Sequence, residues 1–286
     1  MRRSSLKFLL ENVTNMSKIE EFAQKYLFSL NYSKVTEKIV AFIKRCFEEA
    51  GVEKAVVGVS GGVDSSTTLM LTVKALGSEN VIALIMPHEG ITPQEDVEDA
   101  RSIVKKVDVT FYEIEISRIA KTFKKSLKER GIELEKKAYG NILARTRMIL
   151  LYAVANQLNG MVVGTGDKSE ILLGYFTKYG DGGVDILPIG CLYKTQVRLL
   201  AKYLGVPEKI AFKPSSPRLW PGQTAEGELG FTYREVDPVL YALFELKYPP
   251  EKVVEELEVD PRLVKRVLEL HKGSEHKRRL PPVPSL

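Results

Sequence analysis

The chain has 286 residues, 44% apolar and 28% charged, a soluble globular balance that excludes whole-chain disorder, collagen and coiled coil. A net charge of +5 does not require nucleic acid and is ordinary for a solvated surface. Two cysteines, Cys46 and Cys191, exclude a disulfide scaffold and a thiolate zinc site, and three histidines leave little material for a histidine-rich metal centre.

The opening residues, MRRSSLKFLLENVTNMSK, carry the charge of a signal peptide. The apolar stretch Phe8 to Leu10 is far short of the ~7–15 residues such a peptide needs, so a cytoplasmic protein is expected. No apolar run reaches the ~20 residues that span a bilayer. Met16 is an alternative start, and residues 1–17 read as an extension before one domain over 18–280 and a proline-rich tail over 281–286. Residues 18–50 read as two helices divided near Asn31-Tyr32-Ser33, the second ended by Gly51. Short β-branched runs then alternate with helices. Strands are expected at 55–59, 81–86, 109–116 and 161–164. Helices are expected from Thr67 to Leu76, from Pro93 with Thr92 as N-cap, as a long basic segment to about Arg130, and from Ala138 to Leu158. Strands that are apolar throughout and separated by helices imply a parallel sheet covered on both faces, of about five strands. After Ser169 come a glycine-rich loop over 174–183, a helix from Thr195 to Leu204, and a proline-rich loop over 214–230. Helices punctuated by Pro238, Pro249-Pro250 and Pro261 complete the chain.

The strongest local signal is Ser60-Gly61-Gly62-Val63-Asp64-Ser65-Ser66, between the first strand and the next helix. Two glycines let the main chain approach a ligand closely. Free N–H groups at a helix start make an anion site, and the serine hydroxyls add donors. The pattern is neither a Walker A loop nor the dinucleotide fingerprint. Asp64 would repel phosphate unless it holds a Mg²⁺ ion that the phosphates share. A plain strand-to-helix turn with a capping serine is the structural alternative.

This segment resembles the pyrophosphatase-type loop of the ATP pyrophosphatase family, whose members activate an oxygen by adenylation and release pyrophosphate. Later segments resemble the ammonia-dependent NAD synthetase family in order and spacing. They are NILARTRM from Asn141, GTGDKSE from Gly164, FTKYGD from Phe176 through Asp185 and Pro188, LYKTQV from Leu192, Pro214-Ser215-Ser216, and EHKR from Glu275. The resemblance implies an α/β fold: a Rossmann-like parallel sheet with helices on both faces, of the adenine nucleotide alpha hydrolase-like type, with a helical C-terminal part. It implies ATP contacts at Gly58, Val59, Ser60, Gly61, Gly62, Val63, Asp64, Ser65, Thr165, Lys194 and Ser216. It implies deamido-NAD contacts at Arg145, Lys178, Asp185, His276 and Lys277, and Mg²⁺ at Asp64 and Glu170. Arg145 and Arg147 lie two apart and face differently, so one suits substrate and the other a structural pair. His271-Lys272 mimics His276-Lys277 by spacing.

The implied reaction amidates deamido-NAD with ATP and ammonia. The carboxylate attacks the α-phosphorus, pyrophosphate leaves, and ammonia displaces AMP. Lys194 would offset charge on the departing phosphate and Asp185 would orient ammonia or take its proton. The family usually carries Gln-Thr-Asp-Glu where this chain has Gln223-Thr224-Ala225-Glu226. Free ammonia is expected as nitrogen source, and the family implies a homodimer with no nucleic acid or membrane partner. A different adenylating enzyme such as a GMP synthetase subunit, an RNA-modifying protein and a non-catalytic nucleotide sensor are the rival readings. Near-balanced charge weighs against the second.

Overall fold

The computed structural model describes residues 16–285, so the expected extension lies almost wholly outside the described residues. Helix α1 (Lys18–Tyr26) precedes α2 (Tyr32–Ala50). The Asn31 side chain accepts from Lys34 N at 3.0 Å and so starts α2, and Gly51, at φ 65°, ends it. Then come β1 (Lys54–Gly58), α3 (Val63–Leu76), β2 (Val81–Ile85), α4 (Gln94–Lys106), β3 (Thr110–Glu113), α5 (Ser117–Lys128), α6 (Lys136–Gln157) and β4 (Gly160–Val163).

The four strands form one parallel sheet in the order β3-β2-β1-β4. Side chains alternate across it. Ala55, Val57, Ala83 and Ile85 join a core beneath α2, α3 and α4, while Val56, Ile82, Leu84 and Val162 join a second core beneath α5 and α6. Each fully buried valine or leucine contributes roughly 1.5–3 kcal/mol, so the strand ends are rigid anchors for the loops that leave them. The sheet has four strands rather than the expected five. Beyond β4 the chain returns beside it and makes a single bridge, Val163 to Ile186. Pro188, without an N–H, prevents that pairing from growing. The third strand is also shorter than its sequence suggested, since β3 is an edge strand with Tyr112 53% exposed.

Helix α4 starts one residue later than expected, with Pro93 at the N-cap, because the Thr92 hydroxyl accepts from His88 N at 2.9 Å instead of capping. The remaining helices are α7 (Lys168–Leu173), α8 (Lys194–Tyr203), α9 (Glu208–Ala211), α10 (Ala225–Leu229), α11 (Tyr233–Phe244), α12 (Pro250–Leu257) and α13 (Pro261–Gly273). Pro238 does not punctuate: α11 runs through it, its ring buried where packing offsets the lost hydrogen bond. Helices α1, α11, α12 and α13 share a third core, the helical C-terminal part.

The topology places the site. The chain leaves β1 for β2 and β3 on one side, then returns to β4 on the other. The crevice at the carboxyl ends of β1 and β4 is therefore the point where an open α/β sheet receives ligands.

Candidate active site

A cavity of about 800 Å³ opens at that crevice. Its floor is the segment after β1. Helix α3 begins at Val63, four residues earlier than the sequence suggested, so the N–H groups of Val63, Asp64 and Ser65 form its first turn and have no partner within the helix. The serines shape the loop from inside. Ser60 N donates to Ser65 Oγ at 3.1 Å, and Ser66 Oγ donates to Gly62 O at 2.8 Å. Gly61, at φ 77°, backs onto α4, where an added Cβ would lie 2.1 Å from Asp96 O. Gly58, Val59, Ser60, Gly62, Val63, Asp64 and Ser65 face the cavity, whereas Gly61 is not on its wall.

Beside this cradle lies a buried charge cluster. Lys194, the first residue of α8, is fully buried, and its Nζ lies 2.6 Å from Asp64 Oδ2, 2.9 Å from Asp167 Oδ2 and 2.8 Å from Glu170 Oε1. Burial works against the ammonium, but the carboxylates of Asp167, Asp64 and Glu170 outweigh it and hold Lys194 well above its ordinary range. Burial likewise raises Asp167 and Glu170. The Lys194 ammonium sits 5.3 Å from the centre of the Tyr233 ring. One ammonium against three carboxylates leaves a formal charge of −2. Carboxylate oxygens of Asp64, Asp167 and Glu170 lie within 4.8 Å of one another, and Asp64 Oδ1 is buried without a partner. Three hard oxygen donors against one ammonium, one of them with an orphaned oxygen, fit a divalent cation such as Mg²⁺.

The sequence did not single out Asp167. Its signal was the D-x-x-E capping pattern: Asp167 caps α7, accepting from Glu170 N at 2.8 Å, and its other oxygen reaches Lys194. Asp237 was also missed, because its role is visible only across helices.

On the opposite side the proline-rich loop packs against α4. Lys213 Nζ lies 2.8 Å from Asp96 Oδ1 and 2.5 Å from Asp99 Oδ2, and Arg218 Nε lies 2.7 Å from Asp96 Oδ2. Ser216 lines the cavity, but its hydroxyl donates to Gln223 O at 2.6 Å and holds the loop. Ala225 is buried beside Leu229 in the helical core.

The far wall carries Arg145, Arg147, Lys178, His276 and Lys277, with Thr165 at the end of β4. Arg145 and Arg147 both reach this wall; Arg145 is exposed and donates from Nη2 to Lys178 O at 3.3 Å. Arg147 Nε donates to Met86 O at 3.1 Å, and burial lowers its guanidinium to about 10. The C-terminal segment pins the glycine-rich loop. Lys178 Nζ donates to His276 O at 2.7 Å, and Lys277 Nζ donates to Gly174 O and Phe176 O, each at 2.7 Å. His271, the mimic, donates from Nδ1 to Leu172 O at 2.8 Å and stacks on Phe244. Asp185 is not on the cavity wall. Its Oδ1 accepts from Tyr152 OH on α6 at 2.9 Å and its Oδ2 from Val162 N on β4 at 2.7 Å.

Fold and site together define a nucleotide-dependent α/β enzyme whose charged groups converge on one helix start. The profile of the NAD synthase family matches residues 35–281. The NH(3)-dependent NAD(+) synthetase of Hyperthermus butylicus is 54% identical, over 90% of this chain and 92% of that protein. The solved structure of an NMN synthetase from Francisella tularensis superposes with a TM-score of 0.79 at 34% identity, over 90% of this chain and all of that one. The NH3-dependent NAD synthetase of Campylobacter jejuni superposes with a TM-score of 0.75 at 32% identity, with the same coverage. The chain belongs to the NAD synthase family, ligases that form a carbon–nitrogen bond by ATP-dependent amidation of deamido-NAD to NAD.

Proposed function

We propose that the triphosphate of ATP rests on the Ser60–Ser66 cradle and that deamido-NAD lies along the wall of Arg145, Lys178, His276 and Lys277. The observation that carries the reading is the three carboxyl groups gathered on Lys194 beside a helix start with free N–H groups. Asp64 and Glu170, with Asp167 behind them, would hold Mg²⁺. When bound, the ion neutralises phosphate oxygens and so lowers the barrier to attack by another anion. The nicotinate carboxylate oxygen attacks the α-phosphorus, and the bond to the pyrophosphate oxygen breaks. The first-turn amides of α3 stabilise charge on the departing group, and the Lys194 ammonium, behind Asp64 and Glu170, adds to the positive field there. Ammonia then attacks the acyl-adenylate, loses a proton and expels AMP. The loop over 174–183, tied down by Lys277, keeps water from the adenylate. Asp185 lies off the cavity wall with one hydrogen bond on each oxygen, so a proton-transfer role for it would require its side chain to turn toward the reacting carboxyl. Thr165 and Ser216 complete the ATP side.

Free ammonia is the proposed nitrogen source, a homodimer the proposed assembly and the cytoplasm the proposed location. Phe123 and Ile149, large apolar side chains left exposed on α5 and α6, support the dimer. Among the described residues no helix is long and apolar enough to cross a membrane.

Pyrophosphate release with deamido-NAD, ATP, Mg²⁺ and ammonium tests the reading, with Asp64→Ala beside the parent. Release that needs all four components, and falls about a hundredfold in the variant, is the expected result. Equal turnover with glutamine would overturn the nitrogen source. The Francisella likeness favours one second reading, nicotinate mononucleotide as substrate, and the same assay with that compound separates the two.

A further inference from the structure

At the start of helix α8 its own Gln196 satisfies a single backbone donor, accepting from Tyr193 N at 3.0 Å. Its N-cap is Tyr193, whose side chain makes no capping hydrogen bond. A helix start buried in this way leaves N–H groups that need partners, and they come from elsewhere in the fold. Thr195 N donates to Asp237 Oδ2 at 2.8 Å, and the Thr195 hydroxyl donates to the same oxygen at 2.7 Å. Lys194 N donates to Ser169 Oγ at 2.9 Å, and that hydroxyl donates to Asp237 Oδ1 at 2.6 Å. Asp237 is fully buried, on α11, and does not touch the cavity.

One carboxylate therefore ties two helix starts together. Ser169 is the neighbour of Glu170 on α7, and Thr195 is the neighbour of Lys194 on α8. Glu170 and Lys194 are the two groups that must meet Asp64 from the far side of the cradle. A buried carboxylate surrounded by apolar core is costly unless several donors hold it. Here three donors do, all of them on the two elements that carry Glu170 and Lys194.

We infer that Asp237 is a positioning residue: by fixing the starts of α7 and α8 to each other, it sets the separation of Glu170 from Lys194 and with it the geometry in which the carboxylate cluster takes a divalent cation. The inference deepens the metal reading proposed above and rests on it. Outer groups that orient metal-holding side chains commonly change metal affinity about 10–100-fold when removed. Asp237 also connects α11, one of the C-terminal helices, to the starts of α7 and α8.

The test uses the whole chain without nucleotide. Mn²⁺ binding is titrated calorimetrically at about pH 8 for the parent, Asp237→Ala and Asp237→Asn, and steady-state constants are measured beside it. Asp237→Ala is expected to weaken Mn²⁺ binding and lower kcat about tenfold or more, with the KM for deamido-NAD within roughly twofold. Asp237→Asn keeps an oxygen for Thr195 and is expected to recover much of both. A carboxylate that only stabilises the fold would lower the melting temperature and leave Mn²⁺ affinity and kcat alone, and that result overturns the inference. Should Asp237→Ala not fold, Ser169→Ala removes the α7 arm of the tie and Thr195→Val the hydroxyl half of the α8 arm, and unchanged Mn²⁺ affinity in both overturns it equally. A parent that takes no Mn²⁺ refutes the metal reading itself, and the positioning role falls with it. Binding that is equal in parent and variants refutes the positioning role alone.

Discussion

Replacing Gly61 with alanine tests whether the cradle depends on a main-chain fit rather than on side chains. Gly61 has φ 77°, and an added Cβ would lie 2.1 Å from Asp96 O, 3.0 Å from Asp96 C and 3.1 Å from Ala100 N. All three are backbone atoms of α4, so no side chain can swing away. The left-handed conformation alone costs about 1–2 kcal/mol for alanine. Relieving the contact requires a shift of about 1 Å between loop and helix, and overpacking of this kind costs a further 1–3 kcal/mol or so. The sum, about 2–5 kcal/mol, corresponds to a fall in melting temperature of roughly 4–10 °C for a chain of this size. A displacement of about 1 Å in a site that must align two reactants also lowers kcat/KM about a hundredfold. Gly62→Ala is the internal control. Gly62 has φ −91°, and its added Cβ meets only Ser60 Oγ at 3.4 Å, so its melting temperature is expected within about 2 °C of the parent. Scanning calorimetry and pyrophosphate release measure both variants. If Gly61→Ala melts and turns over like the parent, or if Gly62→Ala is the worse folded of the two, the reasoning is wrong.

Lys194→Met leaves Asp64, Asp167 and Glu170 without their shared cation. An uncompensated buried cluster costs about 3–5 kcal/mol, so the variant melts lower in chelator, recovers part of the loss on adding Mn²⁺, and releases no pyrophosphate; a melting temperature equal to the parent's in chelator would contradict the charge assignment. Burial pushes the Asp237 carboxyl up to about 7, above the unfolded value of about 3.9. The native state then holds a proton that the unfolded state lacks between those values, so this contribution is full below about pH 4 and is lost as pH rises through about 7. Melts across that window should decline in the parent and decline less in Asp237→Asn; parallel curves would exclude it. His271→Ala, losing its bond to Leu172 O and its stacking on Phe244, is expected to lower stability by about 1–2 kcal/mol with the KM for deamido-NAD unchanged. His276→Ala should do the reverse, and an inverted pattern would make the mimic the real contact.

The amino-acid sequence by itself determined the architecture and the floor of the site. Apolar runs of strand length between helical stretches specify a covered parallel sheet, since strands buried on both faces cannot alternate with polar residues. SGGVDSS after the first of them specifies a helix start open to an anion. The motifs GTGDKSE and LYKTQV announced Glu170 and Lys194, because each is local in sequence. Tertiary structure alone decided which of two adjacent glycines is indispensable, since only Gly61 meets the backbone of α4. It decided that Asp185 bonds Tyr152 and Val162 and that Ser216 holds the proline-rich loop. It brought Asp64, Asp167 and Glu170 around one ammonium from three separate segments, and set Asp237 behind them from a fourth. Local propensity and periodicity are written along the chain. The sign and balance of charge at a buried point depend on residues far apart in sequence, which only the packing of helices on the sheet brings within hydrogen-bonding distance.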